Sequence, residues 1–407
     1  MMSTNGSQPR PTAEMLEQMT ELFGFRPSTE QAKAIAAPLE PSVIIAGAGT
    51  GKTTVMAARV TWLVAKGLVR ADQVLGLTFT RKATAELRTR VGRNLTKAGL
   101  LQPDDQEPTV LTYDSFAANL VSEFGAWIGV DPAARLISDA RCVQVALDVL
   151  HDPEKVPPRA GQVTARSIAQ GVLSLSEQAS SHAVSMDDLR ATNDAWRHQL
   201  DQAAPKKNGE PYVDVVKAQN AAEQRDQLMW YAQEYRNLLT ERGFFRFSDR
   251  LNQAIQLVRD FPRIGQQIRS RYAVVLLDEY QDTSSSQARL LASLFSGSTP
   301  ENGRGHAVTA VGDPLQAIYG WRGAAANNIL DFPRHFPHHD GPDAYDNGQY
   351  SLTQNRRSNQ TILDCANAIS EGIRSDPKIG NVVKQLRVPE DEHAGREESP
   401  LPVGMPV

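Results

Sequence analysis

Short runs of consecutive apolar residues recur along the chain between longer stretches of mixed polarity. Val43–Ile45, Val74–Thr80, Val110–Tyr113, Ala273–Leu277 and Val308–Val311 are the clearest of these runs. A strand covered on one face alternates apolar with polar, whereas a strand buried on both faces stays apolar, so these runs predict a parallel sheet flanked by helices. The expected class is α/β. From about Ala117 to Phe244 no comparable run occurs, and Ala, Gln, Leu and charged residues take over. There 221–242 reads as one long helix, interrupted upstream by Ala203–Tyr212, a loop signal with two prolines and an Asn-Gly step. That block predicts an all-helical insertion, 117–243, between sheet strands. A polar leader over 1–20, a surface loop at His335–Gln349 and a disordered tail over 388–407 complete the expected layout.

Composition narrows the class of protein. The 407 residues suffice for two or three domains, and 41% hydrophobic with 22% charged residues matches soluble globular chains, excluding wholesale disorder, a collagen-like repeat and a membrane channel. No apolar run reaches the roughly 18 residues of a membrane span, and the first residues lack a signal-peptide core. Cys142 and Cys365, the only cysteines, cannot build a disulfide framework or a zinc site, so a reducing, cytoplasmic compartment is expected. The net charge of −4 argues against a uniformly basic coat. Locally the balance reverses: Arg81, Lys82, Arg88, Arg90 and Arg93 face Glu86 alone between Thr78 and Arg93, which is either a solvated helix face or a nucleic-acid contact.

Candidate chemistry gathers at the ends of three of the strand-like runs. AGAGTGKT occupies 46–53, directly after Val43–Ile45 and before a helical stretch from Thr53 to about Lys66. A strand, a glycine-rich turn and a helix N-terminus aim backbone N–H groups and the positive end of a helix dipole at a phosphate. Ala46, Gly47, Ala48, Gly49, Thr50 and Gly51 would form the cradle, Lys52 would reach the β and γ phosphates, and Thr53 would hold a magnesium ion. The run at 273–277 ends in Asp278 and Glu279; the first suits magnesium coordination and the second a general base for an attacking water. The run at 308–311 leads into GDPLQAIYGWRGA, where Gln316 suits a γ-phosphate contact and Tyr319, Trp321 and Arg322 offer stacking faces and charge to bases. Taken alone, Tyr319 and Trp321 read more readily as core aromatics.

AGAGTGKT, LTFTRKA, LLDEYQD, VGDPLQAIYGWRGA and QNRRS, in this order, resemble the superfamily 1 DNA helicases of the UvrD/PcrA/Rep type over about Phe25–Ile369. LGLTFTRKATAEL is additionally similar to helicase-nuclease subunits of the AdnB kind. The resemblance implies a RecA-like P-loop NTPase domain over 21–116 and 244–350, the helical insertion between, and the start of a second motor domain at 351–387. It implies ATP with Mg2+ as cofactors, Gln31 as the adenine-reading glutamine, Gln316 as the coupler of γ-phosphate to DNA, and Arg357 as a further γ-phosphate contact. Phe79, Thr80, Arg81, Thr112, Ser115, Tyr319, Trp321 and Arg322 would face DNA. Translocation 3′ to 5′ on single strands, with single-stranded and 3′-tailed duplex DNA and a second helicase or nuclease subunit as partners and no membrane, follows from the same resemblance.

Three positions depart from the family pattern: Thr54 stands where Arg is usual, Arg356 where Tyr is usual, and Asp114 where His is frequent. After QNRRS 49 residues remain, without a later motif for a second motor domain and its arginine finger, so slow hydrolysis and no duplex unwinding are expected of this chain alone. An ATP-gated DNA- or partner-binding module with little turnover is the competing reading. A small-molecule P-loop kinase leaves the aromatic cluster unexplained.

Overall fold

The computed structural model describes residues 11–131, 134–152, 164–182, 184–320, 324, 326–339, 348–380 and 382–389. Helices α1 (Ala13–Phe23) and α2 (Thr29–Ile35) precede β1 (Ser42–Ala46) and α3 (Lys52–Ala65), followed by β2 (Val74–Thr78), α4 (Arg81–Lys97), β3 (Thr109–Thr112) and α5 (Tyr113–Phe124). Next come β4 (Arg135–Leu136), α6 (Asp139–His151), α7 (Ala165–Ser181), α8 (Met186–Asp201), α9 (Val213–Glu241), β5 (Phe244–Phe245) and α10 (Phe247–Asp260). The chain continues with α11 (Pro262–Arg271), β6 (Val274–Leu277), α12 (Ser285–Phe295), β7 (Ala307–Gly312), α13 (Phe332–His335), β8 (Gln349–Leu352), α14 (Gln360–Ile369), α15 (Glu371–Arg374) and α16 (Pro377–Gly380).

These elements form two units. The first takes the described parts of Met1–Thr112, Gly265–Thr283 and Leu294–Val407. Its centre is a six-stranded sheet in the order β3-β2-β6-β7-β1-β8, parallel throughout. Every residue of β1, β2, β6 and β7 is buried, as the continuously apolar runs require. Ile44 pairs with Val311 on one side and Tyr350 on the other, which sets β1 between β7 and β8. One core cluster joins Ile44, Val74 and Val311 to Met19 and Phe23 of α1, Ile35 of α2, and Met56 and Leu63 of α3.

A buried arginine ties α2 into this core. Arg59 on α3 is fully buried; its Nε donates to Thr309 Oγ1 at 3.1 Å, and its two Nη groups to the carbonyls of Ala34, Ile35, Ala37 and Pro38. These carbonyls are the unpaired C-terminal acceptors of α2 and the turn after it. Burial lowers the Arg59 pKa to about 10, still far above neutrality.

The second unit is Tyr113–Ile264 with Ser284–Ser293. It is helical apart from the short parallel pair β4-β5. Val145 and Val149 of α6, Val172 of α7 and Tyr235 of α9 share one core cluster. Asn193 on α8 is buried and donates to the Ala222 carbonyl and Asp226 of α9 at 2.9 and 2.6 Å.

Three expectations are corrected. Residues 13–20 are not a leader: Thr12 caps α1, and Met19 is wholly buried. The helical unit is wider than 117–243, because α5 begins directly after β3 and packs its face of Phe116, Leu120 and Phe124 against α10. Gln349–Leu352 (β8) completes the first unit's sheet, and Asn355 N donates to the Arg387 carbonyl at 2.7 Å. Within His335–Gln349, Phe336 and His338 are buried rather than on a surface loop, and 340–347 lie outside the described residues. Residues 1–10 and 390–407, parts of the expected leader and tail, also lie outside them.

Candidate active site

The first unit places its chemistry at the C-terminal ends of β1, β6 and β7, where ligands bind in open parallel sheets. The segment 47–51 turns from β1 into α3. Gly49 and Gly51 have φ of +71° and +91°, a region that a side chain makes costly. A Cβ at Gly49 would come within 2.8 Å of both Arg357 Cβ and the Asn355 amide, so the turn needs glycine for space as well.

The turn is held from three directions. Thr50 Oγ1 donates to the Gly47 carbonyl at 2.9 Å. Gln31 is buried; its Oε1 accepts from Ser28 N in a capping box on α2, and its Nε2 donates to the Thr50 carbonyl at 3.1 Å. Asn355 Nδ2 donates to the Ala48 carbonyl at 2.6 Å, while Asn355 Oδ1 accepts from the backbone N–H groups of Arg357 and Ser358. Arg357 is therefore fixed beside the turn by its backbone, with an exposed side chain. Glu30, next to Gln31, accepts from Thr353 N and Thr353 Oγ1, each at 2.7 Å, and so fastens α2 to the exit of β8.

At the start of α3, Lys52 Nζ lies 3.2 Å from Glu279 Oε2 and 3.5 Å from Gln316 Oε1. Glu279 is the one non-glycine among the described residues with positive φ, +46°. A left-handed side-chain residue costs about 1–2 kcal/mol, and such strain concentrates at functional sites. Asp278 before it is nearly buried, and its Oδ1 accepts from Glu279 N at 3.1 Å. Burial, reinforced by the Glu279 charge and opposed by Lys52, pushes the Asp278 carboxyl up to about 7.

A hydrogen-bonded ring continues from Glu279. Gln281 Nε2 donates to Glu279 Oε2 at 2.8 Å, and Gln281 Oε1 accepts from Asp313 N at 3.1 Å. Asp313 Oδ2 accepts from Gln316 Nε2 at 2.6 Å, and Gln316 returns to Lys52. Burial raises the Asp313 carboxyl, against the bonds from Gln316 and Leu315 N that favour its charge.

The expected DNA residues are divided. Phe79 after β2 and Tyr319 after β7 meet with ring centroids 4.7 Å apart and planes tilted 30°, both half-buried, so Tyr319 belongs to a surface aromatic pair rather than the core. Ile318 N donates to Asp282 Oδ1 at 3.4 Å, anchoring this segment beside the acidic loop. Thr80 caps α4 through Ala83 N, which engages its hydroxyl, and Arg81 is exposed at the first position of that helix. Thr112 ends β3 in the first unit, whereas Ser115 lies on α5 in the second. Trp321 and Arg322 lie outside the described residues. Two of the five clustered cations are engaged within the protein: Arg88 donates to the Val110 carbonyl at 2.7 Å, and Arg90 to Thr54 Oγ1 at 2.7 Å and Glu86 at 2.9 Å.

Asn355, Glu30, Gln281, Asp313 and the Arg90–Thr54 contact escaped the sequence reading as site residues. For Gln281 and Asp313 a signal existed, since they lie two residues from Glu279 and three from Gln316, groups already singled out. Among the described residues no group of three or more His, Cys, Asp or Glu side chains is disposed to hold a metal. Thr53 and Asp278 are oxygen donors of the kind a magnesium ion takes when substrate phosphates and water supply the remaining ligands.

Comparison with known proteins sets this geometry in context. Residues 28–337 match the model of the UvrD/REP helicase N-terminal domain. The ATP-dependent DNA helicase UvrD1 of Mycobacterium leprae is 28% identical over 363 residues, covering 86% of this chain and 39% of that protein. UvrD1 of Mycobacterium tuberculosis is 29% identical over 366 residues, covering 89% and 40%, and the ATP-dependent DNA helicase PcrA of Staphylococcus aureus is 27% identical over 349 residues, covering 84% and 39%. The chain thus spans 39–40% of the length of these curated relatives. No helix among the described residues is long and apolar enough to cross a membrane.

Proposed function

The chain belongs to the UvrD/REP helicase family, and on that premise we propose that it is the ATP-binding portion of a superfamily 1 DNA helicase that acts in the cytoplasm. It would couple ATP hydrolysis to 3′ to 5′ movement on single-stranded DNA in repair or recombination. The observation that carries this reading is the meeting of Lys52, Glu279 and Gln316 at the ends of three adjacent elements.

In the proposed reaction the N–H groups of 47–53 and Lys52 bind the phosphates of ATP, and Gln31 and Arg357 flank the same turn to contact base and γ-phosphate. A phosphate that competes for Lys52 releases the Glu279 carboxylate to orient and deprotonate the attacking water. Thr53 and Asp278 would hold the magnesium ion, which when bound neutralises charge on the phosphate oxygens. Gln316 touches Lys52 on one side and leads into Tyr319 on the other, a short covalent path from nucleotide to the Phe79–Tyr319 pair. That pair would stack a base of single-stranded DNA, or of the 3′ tail of a duplex, with Thr80, Arg81, Thr112, Ser115, Trp321 and Arg322 as further DNA contacts. A second helicase or nuclease subunit is the proposed protein partner.

ATP turnover measured with and without single-stranded DNA tests the reading. Lys52→Ala should lose nucleotide binding or turnover, and Glu279→Gln should bind ATP and lose hydrolysis by about 10²- to 10⁴-fold. Wild-type binding and turnover in Lys52→Ala overturns the assignment. Nucleotide-dependent DNA binding without turnover would instead identify an ATP-gated binding module.

A further inference from the structure

We propose that Gln281 is a positioning residue that holds the Glu279 carboxylate in its reactive place and locks it to the segment beginning at Asp313. The inference rests on the reading of Glu279 as the general base. Gln281 is 1% exposed, and both ends of its amide are engaged: Nε2 donates to Glu279 Oε2 at 2.8 Å and to Asp282 Oδ2 at 3.3 Å, and Oε1 accepts from Asp313 N at 3.1 Å. A buried amide bonded at both ends has a single satisfactory orientation, because a flip would set its oxygen against two carboxylates and its NH2 against a backbone N–H.

The position of that amide has a second guard. A Cβ at Gly312, the last residue of β7, would collide with Gln281 Oε1, so the absence of a side chain there is what admits the amide between the two strand exits. Glu279 meanwhile sits at φ +46°, a strained conformation that its neighbours must hold, and Gln281 is the uncharged side chain that grips its carboxylate. Through Asp313 and Gln316 the same amide closes the ring back to Lys52. Displacing it therefore moves the base, while the groups of the 47–53 turn stay bonded to Gln31 and Asn355.

Gln281→Glu is nearly isosteric; it keeps an acceptor for Asp313 N and replaces the donor to Glu279 with another acceptor. Single-turnover hydrolysis by the whole chain, with protein in excess, should fall by about 10- to 100-fold, the effect of misplacing a reacting group by around 1 Å. ATP affinity, read with a fluorescent ATP analogue, should stay within about twofold, because only the hydrolytic step loses its geometry. Stimulation by single-stranded DNA should also shrink towards none. Gly312→Ala should reproduce the loss with Gln281 intact, yet cost far less in a Gln281→Ala background, where only the flexible end of Ile329, 2.8 Å from the added Cβ, has to shift.

Three results overturn the proposal: unchanged hydrolysis in Gln281→Glu, nucleotide affinity falling together with turnover, or a loss from Gly312→Ala as large when Gln281 is already Ala as when it is intact. Glu279→Gln separates this proposal from the reading beneath it. If that variant hydrolyses ATP like the wild type, the base assignment fails and Gln281 with it; if it is inactive while Gln281→Glu is fully active, Gln281 alone fails.

Discussion

Replacing Arg59 by Met tests how helix α2, which braces the 47–51 turn through Gln31, is held. The substitution keeps most of the apolar stem and removes five N–H donors, so the carbonyls of Ile35, Ala37 and Pro38, now at 3.1, 2.7 and 2.9 Å from the guanidinium, lose their partner in a buried place. At about 2 kcal/mol per orphaned acceptor the gross loss is about 6 kcal/mol. Against it stands relief from burying a cation, which lowers the Arg59 pKa from 12.5 to about 10 and corresponds to roughly 3 kcal/mol. The expected net destabilisation is about 3 kcal/mol, at the upper end of the usual range for a single substitution, as befits orphaned buried polar groups. Urea unfolding with amide exchange read at α3 and β1 measures it, with Arg59→Lys intermediate because an ammonium cannot span the same acceptors. Because α2 carries Gln31, which supports the Thr50 carbonyl, ATP affinity should fall as well. A loss below about 1 kcal/mol would refute the reasoning and mean that water serves these carbonyls as well as the guanidinium does.

Three further outcomes are expected. Asp278 has a folded pKa raised from 3.8 to about 7, so the folded state keeps a proton that the unfolded state has released; stability from this group is present below pH 3.8 and lost as pH rises to about 7. Asp278→Asn should therefore raise the melting temperature without magnesium, by a margin that grows from pH 4 to 7 and then levels at up to a few kcal/mol, and a pH-independent difference would refute it. Tyr319→Ala should weaken single-strand binding by about 1–3 kcal/mol in fluorescence anisotropy with little change in salt slope, which a phosphate contact would change. Gly51→Ala, at φ +91°, should destabilise the turn by about 1 kcal/mol or more, read as a lower melting temperature and weaker ATP binding.

What could be read from sequence follows from how burial writes itself into a chain. β1, β2, β6 and β7 are covered on both faces, and runs dominated by apolar residues, with Ser42, Thr78 and Thr309 as their polar members, announced them. β8 is an edge strand with the sequence Gln-Tyr-Ser-Leu, alternately half-buried and buried, and such a short alternation looks like loop. Helix α1 was concealed by a polar face; Met15, Leu16, Met19, Leu22 and Phe23 mark its core side. Membership of α5 and α10 in the helical unit depends on their mutual packing, which no local pattern encodes. The site divides in the same way. Lys52 and Glu279 lie in contiguous motifs that state their chemistry, whereas Gln281 and Asp313 acquire theirs only because β6 and β7 are neighbours. Asn355 reaches the 47–51 turn only because β8 pairs with β1.

The place of β1 inside the sheet also has a consequence in time. Its two partners, Ala307–Gly312 and Gln349–Leu352, are made long after Ser42–Ala46, so a ribosome adding about 5–20 residues per second leaves β1 without a neighbour for roughly 15–50 s. The helices of Tyr113–Ile264 emerge within that interval and make their contacts mostly among themselves. The glycine-rich turn, whose clasp of Gln31 comes early and whose clasp of Asn355 comes late, is thus among the last parts of the first unit to gain its shape. A nascent chain halted before residue 307 should hold a protease-resistant helical body while the segment around β1 is still cut, and resistance there should appear only once β7 has cleared the exit tunnel.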